Sequence, residues 1–180
     1  MRIKNHWLEN AQARLSPNHD DRPDKNDISL IVIHCISLPP GEFDTPYIDQ
    51  LFTNQLLPEG HPYFMEVHQL KVSCHVLIRR DGKMTQYVPF NKRAWHAGQS
   101  EYCGRSRCND YSIGIELEGT ESTSYTDAQY QQLADLIDQL LKKYPDLNKQ
   151  RITGHCDISP IRKTDPGPSF DWNKLDSLLS

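Results

Sequence analysis

The sequence has no long hydrophobic run. Its longest apolar stretch, at Leu30–His34, falls far short of the roughly 20 residues a membrane helix needs, which excludes a transmembrane span. It has no excess of positive charge: 20 Lys and Arg face 24 Asp and Glu, a net charge of −4 with neutral His. General binding to nucleic acid or anionic membrane is therefore not expected, although a local basic pocket remains open. It has no CxxC pair. Cys35, Cys74, Cys103, Cys108 and Cys156 are an odd set, so a disulfide framework is not expected. Cys103 and Cys108 could clip a loop or bind metal, but Gly104-Arg-Ser-Arg107 between them reads as a solvated basic turn. The first ten residues carry basic side chains but lack the apolar segment and small-residue cleavage site of a secretory signal, and the cytoplasm is the expected compartment. There is no internal repeat, no HExxH pair, and no nucleophile signature around any thiol.

What the chain does have is strand and helix patterning. Residues 1–28 are polar, interrupted by Pro17 and Pro23, and read as a short helix followed by a loop. Ser29–His34 is a β-branched apolar run, expected as a strand buried on both faces. Residues 37–64 hold five of the 12 prolines, and such a segment is expected to be a functional loop, a wall or a lid, with a short helix near Ile48–Phe52. Ser73–Arg79 and Met84–Val88 flank Asp81-Gly82, a strong hairpin signal. Residues 91–110 read as a loop. In Ser112–Glu118, Ile113, Ile115 and Leu117 take one face, and Gly114, Glu116 and Glu118 the other. Thr126 and Gln129 form a capping box before an apolar series, Tyr130, Leu133, Ala134, Ile137, Leu140, Leu141 and Tyr144, with helical spacing. Arg151–Gly154 is a short strand, and Asp171–Leu179 a final helix. The sum is one α/β domain over residues 1–180, a central mixed sheet flanked by helices.

Three residues near strand ends or in loops stand out. His34, His155 and Asp165 supply two imidazoles and a carboxylate, a sufficient set for a catalytic zinc with one open position. Each histidine alone also fits a hydrogen-bonded structural residue, and Asp165 before Pro166 also fits a turn starter. Glu116 lies mid-strand between apolar neighbours; it must either face a cleft or sit, with Glu118, on the solvated side of an edge strand. Lys163 is a loop lysine two positions before Asp165.

Taken together, His34-x-Ile-Ser-Leu-Pro-Pro-Gly-Glu-Phe43, Ser73-x-His75-x-Leu-Ile-Arg-Arg-Asp-Gly82, Ala94-Trp-His-Ala-Gly98, Cys108-Asn-Asp-x-Ser-Ile-Gly-Ile-Glu-Leu-Glu-Gly119, Tyr125-Thr-Asp-Ala-Gln-Tyr130, Thr153-Gly-His-Cys-Asp157 and Arg162-Lys-Thr-Asp-Pro-Gly-Pro168 resemble one family. The chain is similar, from about Trp7 to Trp172, to the AmpD-type N-acetylmuramyl-L-alanine amidases, cytoplasmic zinc enzymes of peptidoglycan recycling. The resemblance implies His34, His155 and Asp165 as zinc ligands, Glu116 as catalytic acid/base and Lys163 as a stabiliser of oxyanion charge. It implies as substrate the amide between the lactyl group of 1,6-anhydro-N-acetylmuramic acid and L-alanine. Trp95, Arg107 and Arg162 fall in matching motifs as candidate substrate contacts. Cys35 and Lys71 stand where relatives often carry Asn and Arg, near the sugar side of the family's site. His75 and His96 are read as pocket-lining or structural, and Cys35 as packing rather than a ligand; Cys156 lies in a loop, where a thiolate closing the coordination shell would make the zinc structural. Two rival readings are a non-catalytic peptidoglycan-binding module, which the full set of ligand and catalytic positions disfavours, and a cysteine hydrolase, which lacks a local signature.

Overall fold

The computed structural model describes residues 1–179 and is built around Leu30–Ile36, whose β-branched side chains favour an extended backbone. Six strands form the main sheet: β1 Gln12–Ala13, β2 Leu30–Ile36, β3 Val76–Ile78, β4 Met84–Gln86, β5 Ser112–Glu118 and β6 Ile152–Gly154. Their order across the sheet is β6-β2-β5-β3-β4-β1. Three neighbouring pairs in the middle, β6–β2, β2–β5 and β5–β3, are parallel, and β3–β4 is the antiparallel hairpin turning at Gly82. The sheet is therefore mixed, as the alternation of strand and helix patterns predicts.

One face of this sheet is sealed. Ile31, Ile33, Ile113, Ile115 and Leu117 pack against α3, Asp127–Lys143, through Leu133, Ala134, Leu136, Ile137 and Leu140. The Thr126–Gln129 capping box is present in both directions, with Thr126 Oγ1 accepting the Gln129 N–H at 3.1 Å. α5, Trp172–Leu178, lies beside α3 and adds Leu175 to the same core. The other face is only partly covered. Residues 37–64 carry α1, Tyr47–Phe52, and run into α2, Phe64–Val67; their Leu38, Ile48, Leu51, Phe52, Leu56 and Phe64 form a second core with Leu77 and Tyr87. The Pro-rich segment thus stands as a packed wall. A third, smaller cluster, Leu30, Val32, Ala97, Cys108, Tyr111 and Ile158, lies under the 95–111 region. Between these two covers the sheet stays open.

Two sequence expectations need correction, and one alternative left open by the sequence is decided. The N-terminal segment is not helical: Ile3–Lys4 pairs antiparallel with Trp7–Leu8 across Asn5 and His6, both at positive φ. Such a two-residue turn matches strand twist, and Asn tolerates it. Residues 91–110 are not a plain loop, since Lys92–Ala94 pairs with His19–Asp21, and Glu101–Tyr102 with Arg105–Ser106. Glu118 is not on a solvated edge: β5 is interior, and Glu118 is fully buried. Arg79 Nη1 pairs with its Oε1 at 2.8 Å, and the backbone N–H groups of Asp44 and Arg80 donate to its two oxygens. All five cysteines are free thiols, so no bridge joins Cys103 to Cys108.

His75 shows what the interior does to a titrating group. Its Nδ1 accepts the Gly114 N–H at 3.0 Å, so Nε2 holds the proton and donates to the Lys92 carbonyl at 3.1 Å. Burial, reinforced by the Arg22 charge, pushes its pKa down to about 3 from 6.5. Between those values the unfolded chain binds a proton that the native chain refuses, so stability is complete above about pH 6.5 and falls on acidification. The slope from this group is about 1.4 kcal/mol per pH unit. Urea unfolding in the presence of a chelator at about pH 7 and about pH 5.5 should show at least that loss, because buried His34 and His96 shift the same way. Equal stability at the two pH values would contradict it.

Candidate active site

Strand register positions the chemistry. β2 and β5 are parallel with His34 opposite Glu116, so both side chains leave the open face of the sheet side by side. On the other side of β2, Gly154 of β6 is opposite Ile33, which sets His155, the first residue of the short helix α4 (His155–Ile158), next to His34. Asp165 returns on the loop after α4, where its carbonyl accepts the Cys156 N–H at 2.8 Å. A separation of more than a hundred residues in sequence becomes a single cluster.

The cluster is a triangle. His34 Nδ1 lies 3.0 Å from His155 Nδ1 and 3.2 Å from Asp165 Oδ2, and His155 Nδ1 lies 3.1 Å from the same oxygen. The outer nitrogens show which ring atoms point inward. His155 Nε2 faces the Ala97 carbonyl at 3.2 Å; a carbonyl only accepts, so Nε2 carries a proton and Nδ1 is the ring nitrogen left to face the triangle. Burial pushes His34 down to about 4, so it is neutral near pH 7. Burial alone would raise Asp165, yet the two imidazoles hold it well below the usual carboxylate range. Two imidazole nitrogens and a carboxylate oxygen thus converge on one point. Atoms bound at about 2.0–2.1 Å to a tetrahedral centre stand roughly 3.3 Å apart, close to the observed edges. The buried His34, His155 and Asp165 group can hold a metal ion.

This triangle opens on a cleft of about 640 Å³, also lined by Glu116, Lys163, Arg162 and Cys35. Glu116 Oε2 is enclosed and has no hydrogen-bond partner among the described residues. Burial raises its pKa well above the ordinary value, the Asp165 charge adds to the rise, and Lys163 opposes it. Lys163 forms no ion pair among the described residues. Burial pushes the Cys35 thiol up to about 12, so it is protonated and a poor ligand or nucleophile.

Other candidates fall elsewhere. Arg162 Nη2 donates to the Ala97 and Gln99 carbonyls at 3.1 and 2.7 Å, so part of its fork holds the loop against which His155 is hydrogen-bonded. Trp95 lies outside the cleft lining, its Nε1 donating to Asp20 at 3.2 Å. Lys71 is exposed and also outside it, although Leu70, Val72 and Ser73 line the cleft. Arg107 is exposed, at φ +62°, with Nε 3.1 Å from Asp110 and its N–H bonded to Ser100. The structure adds Tyr63, Thr120, Glu121 and Ser122 to the lining, none of which carries a sequence signal. His96, read from the sequence as pocket-lining or structural, lines the cleft too, and Gly114 in the middle of a strand marks its close approach.

An α/β sheet that sets two imidazoles and a carboxylate beside a second, partnerless carboxylate has the parts a metal-assisted hydrolase requires. The sequence profile of N-acetylmuramoyl-L-alanine amidase matches residues 24–168. The chain is 58% identical over 180 residues to 1,6-anhydro-N-acetylmuramyl-L-alanine amidase AmpD of Escherichia coli (strain K12), covering all of this chain and 98% of that protein. It superimposes on a crystal structure of an AmpD selenomethionine derivative with a TM-score of 0.97 at 57% identity, each chain covered completely. A more distant match, 29% identical with a TM-score of 0.62, covers 84% of this chain and 57% of AmiD from E. coli, solved with the substrate anhydro-N-acetylmuramic acid-L-Ala-D-gamma-Glu-L-Lys. The chain belongs to the N-acetylmuramoyl-L-alanine amidase family.

Proposed function

We propose that the chain hydrolyses the amide bond between the lactyl group of 1,6-anhydro-N-acetylmuramic acid and L-alanine of the stem peptide, using one zinc ion held by His34, His155 and Asp165. The observation that carries this reading is the converging triangle of His34 Nδ1, His155 Nδ1 and Asp165 Oδ2, open to the same cleft as the half-buried Glu116. The amidase relatives bring the substrate class, a small peptidoglycan fragment. Zinc, when bound, supplies a Lewis acid that makes water more acidic and polarises the carbonyl. Glu116 accepts the proton of the attacking water and delivers it to the leaving amine of alanine. A carboxyl raised by burial holds a proton more readily than an ordinary glutamate, which suits a group that takes one from water and passes it on. Lys163, unpaired on the cleft wall, faces the negative charge that grows on the carbonyl oxygen. The reaction fits a reducing compartment such as the cytoplasm, a placement supported by five free thiols. No helix of the described residues is long and apolar enough to cross a membrane.

Metal analysis combined with chromatography of an anhydro-muropeptide digest tests the reading. One zinc per chain and release of the intact stem peptide are expected; a metal-free active enzyme would overturn it.

The stem peptide carries carboxylates, and the cleft needs cations to hold them. Arg162 lines it directly, and Arg107 is bonded to Ser100 beside the 97–99 loop, with a mostly exposed guanidinium. Arg107→Ala should therefore raise KM for a tripeptide substrate severalfold with kcat unchanged. An unchanged KM would remove Arg107 from the site.

A further inference from the structure

We propose that His96 is a positioning residue for the metal ligand His34, acting through a directed chain that runs from His34 Nε2 to His96 Nδ1 and from His96 Nε2 to Ser112 Oγ. The inference rests on the zinc reading above. The two links measure 2.9 and 3.0 Å. If His34 offers Nδ1 to the metal, its Nε2 must carry the ring proton, and a donor there needs an acceptor. His96 Nδ1 is that acceptor, which places the proton of His96 on Nε2, where it donates to the Ser112 hydroxyl. The chain has only one direction consistent with ligation, and it fixes both the tautomer and the tilt of His34.

Two features independent of these distances show that the ring is seated on purpose. Gly114 lies beneath it on β5: a Cβ there would stand 2.4 Å from His96 Cγ and 2.6 Å from Nδ1, an impossible overlap. A glycine in the middle of an interior strand weakens that strand, and here it leaves the space the imidazole occupies. From the other side, the backbone N–H groups of His96 and Ala97 both donate to Asn109 Oδ1, at 3.1 and 2.8 Å, so the loop carrying the ring is tied down. The rings of His34 and His96 meet edge to face at 86°, the geometry a linear N–H···N bond between them allows. His155 has a carbonyl, Ala97 O, in the equivalent role, so each imidazole ligand is oriented from behind by the same short loop.

The test uses zinc affinity, measured by competition with a chromogenic chelator, and long-range ¹⁵N–¹H spectra of the imidazoles. In the wild-type protein with zinc, His34 and His96 should both appear as Nε2–H tautomers, and the His34 Nε2 proton should exchange slowly with water. His96→Phe keeps a ring without an acceptor and should weaken zinc binding about 10- to 100-fold and abolish the slow proton. His96→Asn can present Oδ1 where Nδ1 was, and should stay within a few-fold of wild type. Gly114→Ala should weaken binding as His96→Phe does. A wild-type His34 or His96 protonated at Nδ1 overturns the inference without reliance on any variant. So does His96→Phe with unchanged zinc affinity, or His96→Asn as weak as His96→Phe. A wild-type protein that binds no zinc refutes the metal reading itself, a distinct result.

Discussion

Glu116→Gln is expected to lower kcat by about two to four orders of magnitude on anhydro-muropeptide while leaving one zinc per chain bound. Glutamine keeps the shape of the side chain but can neither take a proton from water nor hand one to an amine. The binding triangle does not include Glu116, so metal content should not move. The substitution should also leave Tm unchanged or raise it. A carboxyl oxygen enclosed without a hydrogen-bond partner destabilises the fold in which it sits, and it is retained where function requires it. A variant that is slower, still zinc-loaded and no less stable is the signature of a proton-transfer group. Turnover within threefold of wild type would remove Glu116 from the chemistry, and loss of zinc would make it a ligand-shell residue instead. Charge coupling gives a second readout. Part of the upward shift at Glu116 comes from Asp165, and a cation on the triangle neutralises that carboxylate. Metal loading should therefore lower the Glu116 pKa.

Much of this site is legible in the sequence because local rules wrote it. The β-branched run ending at His34 and the alternation of Ser112–Glu118 predict two strands, and the structure pairs them so that His34 and Glu116 share a face. The α3 capping box and the Asp81-Gly82 hairpin also follow from local chemistry. Pairing partners do not. Nothing in the pattern of Ser112–Glu118 says whether it is an edge or an interior strand, and so a solvated Glu118 stays open in the sequence although Arg79 pairs with it in the core. The N-terminal hairpin escapes for a similar reason: its strands are two residues each, too short for periodicity, and the information lies in the turn at Asn5 and His6. His96 is the instructive case. Its loop has no periodicity; its motif reads it as pocket-lining or structural, and Gly114 across from it carries the closer information, as a missing side chain rather than a present one.

Removing the metal should abolish hydrolysis without unfolding the protein, and restoring zinc should bring the activity back. The claim follows from where the ligands sit. His34 projects from the open face of the sheet, His155 and Asp165 reach it from α4 and the loop that follows, and the main core, between the opposite face and α3, involves none of them. The Asp165 loop is held independently: its carbonyl takes the Cys156 N–H, the Tyr125 hydroxyl donates to the Pro166 carbonyl at 2.8 Å, and Thr164 Oγ1 donates to Glu121. In chelator the far-ultraviolet circular dichroism at room temperature should therefore match that of the loaded protein. Tm should still drop, because a ligand at a thousand times its dissociation constant stabilises the native state by about 4 kcal/mol. Asp165→Ala should reproduce the chelated state permanently, with activity at baseline and no recovery on adding zinc. The same experiment separates this enzyme from a cysteine hydrolase. Iodoacetamide should spare activity, since the one thiol lining the cleft, Cys35, is held protonated. Activity that survives chelation but not alkylation would reverse the assignment, and collapse of the fold on chelation would make the metal a structural staple rather than a reagent.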